Sequence, residues 1–254
     1  MQIPTELKTT LKRLKLSGML ATLPDRVAMA RKEKLDYLSL LELVLSDEVE
    51  RRDQVSIQTR LTKAGFEEEC TLERFDPTTN VKYDKVRLSA LFGLHFIERR
   101  ENVILTGPVG VGKTFLASAL GHAACRAGYR VLFTRADTML KTLAQSRADN
   151  SFDRQLRQYL SPDVLVVDDF GLRRLSGIAS SDLYELIIER HTRSSTIVTS
   201  NRDVEEWASL FDEPVLAQSA LDRFCHRAHQ IVVEGESYRK RMAPGQQELE
   251  RKGA

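Results

Sequence analysis

Four positions near the middle of the sequence, Gly107, Gly112, Lys113 and Thr114 within GPVGVGKT, have the spacing G-x-x-x-x-G-K-[S/T] of a phosphate-binding loop. The residue types follow from the chemistry. Glycines let the backbone turn tightly enough for its N–H groups to converge on phosphate oxygens, with Pro108, Val109, Gly110 and Val111 completing the turn. Lys113 then reaches the β and γ phosphates, and the Thr114 hydroxyl ligates Mg²⁺. The same loop follows an apolar run, NVILT, and opens a helical pattern, which is the context such a loop requires.

Three further features could serve a bound triphosphate. VLVVDD, residues 164–169, ends an apolar run on two carboxylates. Alone it reads as a strand whose Asp caps the next turn; downstream of a phosphate loop it reads as the acidic pair of phosphoryl transfer. Asp168 would then hold Mg²⁺ through water, and Asp169 would orient the attacking water. STIVTSN finishes on Asn201, either a turn residue at a strand end or an amide within reach of the γ-phosphate and the lytic water. ALDRF places Arg223 in an otherwise apolar helical stretch. A solvated helix arginine is the plain reading; the functional one is a cation near the γ-phosphate, which can be worth ~10³ or more in rate. Arg227 and Arg239 are the neighbouring alternatives.

Such residues work only if strand ends bring them together. NVILTG, RVLFTR, DVLVVDD and STIVTSN read as buried strands, and KTFLASALGHAACRAG, ADTMLKTLAQS and SDLYELIIERH as the helices between them. Regular alternation predicts an α/β fold with a parallel sheet covered on both faces, and a ligand at the C-terminal ends of its strands.

The N-terminal part differs. Leu7, Leu11 and Leu14 recur at helical spacing beside Lys8, Lys12 and Lys15. A second helical run carries Leu38, Leu41, Val44, Leu45 and Val49, with Gly65 as its stop. Pro77 and its polar neighbours in ERFDPTTNVKYD break both periodicities and mark a connector. The expected organisation is a helical domain over residues 1–75, a nucleotide-binding domain over 76–242 and a tail over 243–254. Residues 1–34 hold eight Lys or Arg against three acids, whereas 35–101 hold ten against fourteen, so the front is a basic arm on a chain of net charge only +2.

Composition excludes several classes. At 42% hydrophobic and 29% charged residues the chain is a globular type, and no apolar run approaches the ~20 residues that span a bilayer. The start lacks the apolar core of a signal peptide, so a cytoplasmic location and no membrane partner are expected. Cys70, Cys125 and Cys225 are odd in number and far apart, as reduced thiols. Cys225 to His229 lacks a second ligand cluster for a metal and is expected to be structural and helical.

The set GPVGVGKT, VLVVDDFG, TIVTSN, ALDRF and VEGESYRKR resembles the AAA+ ATPases of the DnaA/DnaC/IstB clade. Together with LKLSGMLATLPDRVAMA and TLERFDP, it resembles IstB-like proteins over about residues 5 to 242. The resemblance implies a P-loop AAA+ sheet with a small all-α N-terminal domain, and ATP and Mg²⁺ as cofactors. It implies an oligomer with ATP between subunits, assembled on duplex DNA, that recruits or stimulates a partner transposase of an insertion sequence; binding through phosphate contacts of basic side chains is expected to be largely without sequence preference. By position, Gly107 to Thr114 match Walker A, Asp168 and Asp169 Walker B, Asn201 sensor 1, Arg223 a finger on the next subunit's ATP, and Arg239 sensor 2.

DNA contact falls to Lys8, Lys12, Arg13 and Lys15, with Arg173 and Arg174 in the loop after Asp169. For the N-terminal lysines a solvated helix face is the other reading. The second acid is Asp169 where most AAA+ proteins have Glu. A shorter side chain holds water less closely, which predicts slow hydrolysis that depends on assembly. The guanine-reading N-K-x-D is absent, favouring ATP over GTP. A DnaC-like helicase loader would share every ATPase motif, and a small-molecule kinase would share the loop, although no acceptor-site motif is visible.

Overall fold

The computed structural model describes residues 2–74 and 81–238. The chain divides into two compact units, Met1–Thr59 and Arg60–Ala254. The division falls inside a long helix, ahead of the boundary expected near residue 75.

In the first unit, α1 (Thr5–Arg13), α2 (Met19–Glu33) and the start of α3 (Tyr37–Ala64) surround a small cluster of Leu11, Met19 and Val44. α2 was not anticipated, because Pro24 lies inside it. The expected helices exist, but their aliphatic stripes are mostly outside the core. Leu7 and Leu14 on either side of buried Leu11 are exposed, as are Leu38, Leu41, Leu45 and Val49 around buried Val44. Charge supplements the thin core: Arg26 grips Asp47 with two bonds of 2.8 Å, and buried Glu48 accepts from Arg51 and Arg52. α3 stops at Gly65, whose φ of +74° supplies the left-handed residue that ends many helices.

The second unit continues through β1 (Val81–Lys82), α4 (Lys85–Leu91), α5 (His95–Glu98) and β2 (Asn102–Thr106). It then alternates α6 (Lys113–Arg126), β3 (Val131–Arg135), α7 (Ala136–Ala148), α8 (Phe152–Leu160), β4 (Val164–Phe170), α9 (Gly177–Arg190) and β5 (Ser195–Ser200). α10 (Pro214–His226), β6 (Ala228–Val232) and β7 (Glu234–Gly235) complete it. The main sheet is parallel, in the order β3-β4-β5-β2-β6, while β1 and β7 pair antiparallel.

β2 and β5 are buried at every residue, which is why they read as unbroken apolar or small-residue runs. Alternation sorts their side chains into two cores. Val103, Leu105, Val164, Val166 and Ile197 join α6 on one face, and Ile104, Leu165, Val167 and Val198 join α7, α9 and α10 on the other.

The expectation for Cys225 to His229 needs correction. Cys225 and His226 end α10, but Ala228 and His229 begin an edge strand, where the His229 ring pairs with Glu101 at 2.7 Å. Ile231 is the one buried residue of β6, so that edge strand has no apolar run. The three cysteines are free thiols, and among the described residues no group of three or more His, Cys, Asp or Glu could hold a metal. No helix among the described residues is long and apolar enough to cross a membrane.

Candidate functional site

The phosphate loop joins β2 to α6, at the C-terminal edge of the sheet. Gly107 has φ +141° and lies against Val233, so that a Cβ there would meet the Val233 carbonyl oxygen at 2.0 Å. Gly112 has φ +97° and caps α6, whose first residues are Lys113 and Thr114. The N-terminal N–H groups of α6 thus open into the loop, where helix geometry favours an anion.

Lys113 is nearly buried, and its ammonium donates to the Gly107 carbonyl at 2.7 Å, the Pro108 carbonyl at 2.6 Å and Asn201 Oδ1 at 2.7 Å. One cation therefore joins the loop to the end of β5.

Asp168 and Asp169 are consecutive, and in a regular strand they would face opposite sides of the sheet. Here the register between β4 and β5 shifts: Val167 is opposite Val198, and Phe170 is opposite Ser200. Two residues of β4 oppose one of β5, a bulge, and Asp169 takes φ +57°. Both residues consequently line the cleft.

Thr199, the residue opposite the bulge, fixes the pair. Its hydroxyl donates to Asp168 Oδ1 at 2.6 Å and accepts from the Asp169 N–H at 2.9 Å. Thr114 Oγ1 donates to the other Asp168 oxygen at 3.2 Å. Burial pushes the Asp168 carboxyl above its ordinary range, opposed by the bonds from Thr199 and Thr114. Hydroxyl and carboxylate oxygens adjacent in this way are the hard donors that suit Mg²⁺.

The cleft has a volume of about 480 Å³ and brings together residues 109–114, Asp168, Asp169 and Asn201. Glu67, Glu68, Cys70, Arg74, Arg135 and Tyr238 also line it. Of these six only Cys70 had been named from sequence, as a reduced thiol, and none had been given a role in the site, nor had Thr199. For Thr199 a signal existed: it precedes Asn201 by two residues in a strand, so alternation places both on one side.

Arg223 is not brought to the cleft. It lies in the last turn of α10, donates to Ser219 Oγ at 2.5 Å, and borders a separate surface depression with Pro214 and Val215. Arg239 lies outside the described residues. Arg173 is exposed with its Nε 3.7 Å from Asp137, and Arg174 is exposed in the same loop. Lys8, Lys12, Arg13 and Lys15 are exposed residues of the first unit.

The profile of a family described as IstB-like ATP binding protein matches residues 9–244. An insertion-sequence ATP-binding protein of Mycobacterium tuberculosis is 44% identical over 240 residues, covering 94% of this chain and 96% of that one. The ATP-binding protein of insertion sequence IS21 from Pseudomonas aeruginosa is 38% identical over 234 residues, covering 92% of this chain and 88% of its own. Among solved structures, the DnaC helicase loader has a similar fold, with a TM-score of 0.52 and 24% identity over 58% of this chain and 86% of that one.

Proposed function

The chain belongs to the family of IstB-like ATP-binding proteins, and from that premise we propose that it is an ATP-driven assembly switch of DNA transposition. In this reading it hydrolyses ATP with Mg²⁺, joins copies of itself on duplex DNA, and recruits or stimulates a partner transposase. One observation carries the reading. The cleft gathers the loop, both aspartates and Asn201 from a single chain, yet Arg223 borders a different surface. A neighbouring copy that brings Arg223 to the γ-phosphate would make nucleotide binding and subunit joining one event, and hydrolysis would undo both.

The residues divide the work. Loop N–H groups hold the phosphates, and Lys113 exchanges its carbonyl acceptors for β and γ oxygens. Asn201, bonded to Lys113, is placed to turn its amide toward the γ-phosphate. Thr114 and, through water, Asp168 would hold Mg²⁺, which when bound neutralises charge on the β and γ phosphates. Asp169 orients the attacking water. Its carboxylate is shorter than Glu, which supports a slow basal rate raised by assembly on DNA.

DNA contact through Lys8, Lys12, Arg13 and Lys15, with Arg173 and Arg174, would carry affinity through phosphates, weaken with salt and discriminate little between sequences. Arg239 retains its implied role against the nucleotide.

Size analysis with and without linear duplex DNA and a nonhydrolysable ATP analogue tests the reading. Large assemblies that need both ligands, and that Arg223→Ala abolishes, are expected; an unchanged monomer overturns it. ATP turnover equal with and without DNA would overturn the assembly-dependent rate. The fold shared with the DnaC helicase loader favours one other reading, a helicase loader. A stable complex with a replicative helicase, and none with the transposase, would establish that instead.

A further inference from the structure

Arg135 ends β3, and its register partner on the neighbouring strand β4 is Asp168. Its guanidinium reaches Glu67 at 2.5 Å, and both side chains remain about half exposed, at 54% and 52%. Both residues line the cleft that holds Lys113, Asp168 and Asp169. The hydrogen bond to Glu67, followed by the charges of Glu67, Asp168 and Asp169, raises the guanidinium pKa.

Exposed ion pairs of this kind contribute little to stability, because water screens them and two long side chains must be ordered. A triphosphate would change the balance. It carries several negative charges into the same cleft, and a guanidinium matches phosphate oxygens with two parallel donors. The sheet order indicates which phosphate is concerned. The loop follows β2, whereas Arg135 ends β3, the third strand along from β2 in the order β2-β5-β4-β3 and next to β4 with its acidic pair. That is the end of the cleft where the lytic water and the γ-phosphate would meet. The other arginine of the cleft, Arg74, pairs with Glu69 on its own segment at 3.0 Å and belongs to no strand.

We propose that Arg135 contacts the γ-phosphate of ATP in the same chain, and that Glu67 holds it until ATP replaces Glu67 as its partner. The site then has its own cation on the acidic side, distinct from Lys113 in the loop and from any arginine that a second copy supplies. The inference rests on the ATP-binding reading of the cleft.

The test titrates the full-length protein with fluorescent ADP and with a fluorescent nonhydrolysable ATP analogue, with Mg²⁺ present, alongside thermal melts. Arg135→Ala should weaken the ATP analogue on the order of tenfold, the usual size of a lost charged hydrogen bond, and change ADP less than about twofold. Arg135→Lys should recover part of the loss. Glu67→Gln should leave ADP unchanged and tighten the ATP analogue, since it removes the competing partner. Equal losses for both nucleotides, or none, would overturn the proposal. So would a Glu67→Gln variant that reproduces Arg135→Ala, which would make the pair a tether of the cleft wall. A wild-type protein that binds neither nucleotide would overturn the ATP-binding reading as well, a result distinct from binding without discrimination.

Discussion

The two units solve the problem of stability in different ways. In Arg60–Ala254 the sheet separates two apolar cores, and the residues of the cleft stand on strand ends and a helix start that those cores hold in place. In Met1–Thr59 the core cluster has three buried members, Leu11, Met19 and Val44, while Leu38, Leu41, Leu45 and Val49 are exposed. There the ion pair Arg26–Asp47 joins α2 to α3, and Glu48 pairs with Arg51 and Arg52 within α3. Reaction chemistry needs side chains fixed to a fraction of an ångström, which a two-sided core supplies. A thin core with aliphatic surface to spare suits a unit that meets other molecules.

The sharpest separation should come from Lys113→Ala. It removes the cation that bonds two loop carbonyls and Asn201, so single-turnover ATP hydrolysis should fall on the order of 10² to 10³-fold, as when a preorganised charge-stabilising donor is lost. Hydrogen exchange in the first unit should be unchanged. Protection lost there would show that the two units are not independent in the way their cores suggest.

Next in size is a core truncation. Leu120 on α6 is completely buried, in the core that α6 shares with Val103, Leu105 and Val131 of the sheet. Leu120→Ala should cost about 2–5 kcal/mol of stability, read by denaturant unfolding. Leu38→Ala, on the exposed face of α3, should stay within about 0.5 kcal/mol of the wild type. If the two substitutions cost the same, the contrast between the units fails.

Thr199→Val keeps the shape of β5 and removes the hydroxyl that bridges Asp168 and the Asp169 N–H. Hydrolysis should drop on the order of tenfold or more, with ATP binding retained, because a lost bond to a charged group is worth about 1.5–3 kcal/mol. Unchanged turnover would mean that the bulge alone positions the pair.

Thr199 also marks how far the sequence could be read. Loop, acidic pair and Asn201 were legible because a parallel strand buried on both faces leaves a continuous apolar run, and the chemical residues sit where each run ends. Edge strand β6 and helix α2 were not, since β6 is mostly exposed and leaves no apolar run and an internal proline interrupts α2; the short α8 was not anticipated although Phe152, Leu156 and Tyr159 recur at helical spacing. The bulge at Asp168–Asp169 was invisible because register is set by the partner strand, and nothing local to VLVVDD records it. Glu67 and Arg135 meet across 68 positions of sequence, a pairing that only the folded chain reveals.

The mildest effect should be a pH dependence of α3 in the first unit. Glu48 is buried, and hydrogen bonding from Arg51, with that from Arg52 behind it, lowers its pKa from 4.5 to about 2. A carboxyl whose folded pKa is depressed binds fewer protons when folded, so its stabilisation is complete above about 4.5 and is lost as pH falls toward about 2. Amide protection in α3 should therefore decline across that interval. Glu48→Gln should exchange faster than wild type at neutral pH and converge with it near pH 2, while the protection of β2, whose Val103, Ile104 and Leu105 are fully buried in the two apolar cores, should not follow the same curve. If both units lost protection in parallel, or if Glu48→Gln kept the wild-type acid limb, the ionic account of the first unit would be wrong.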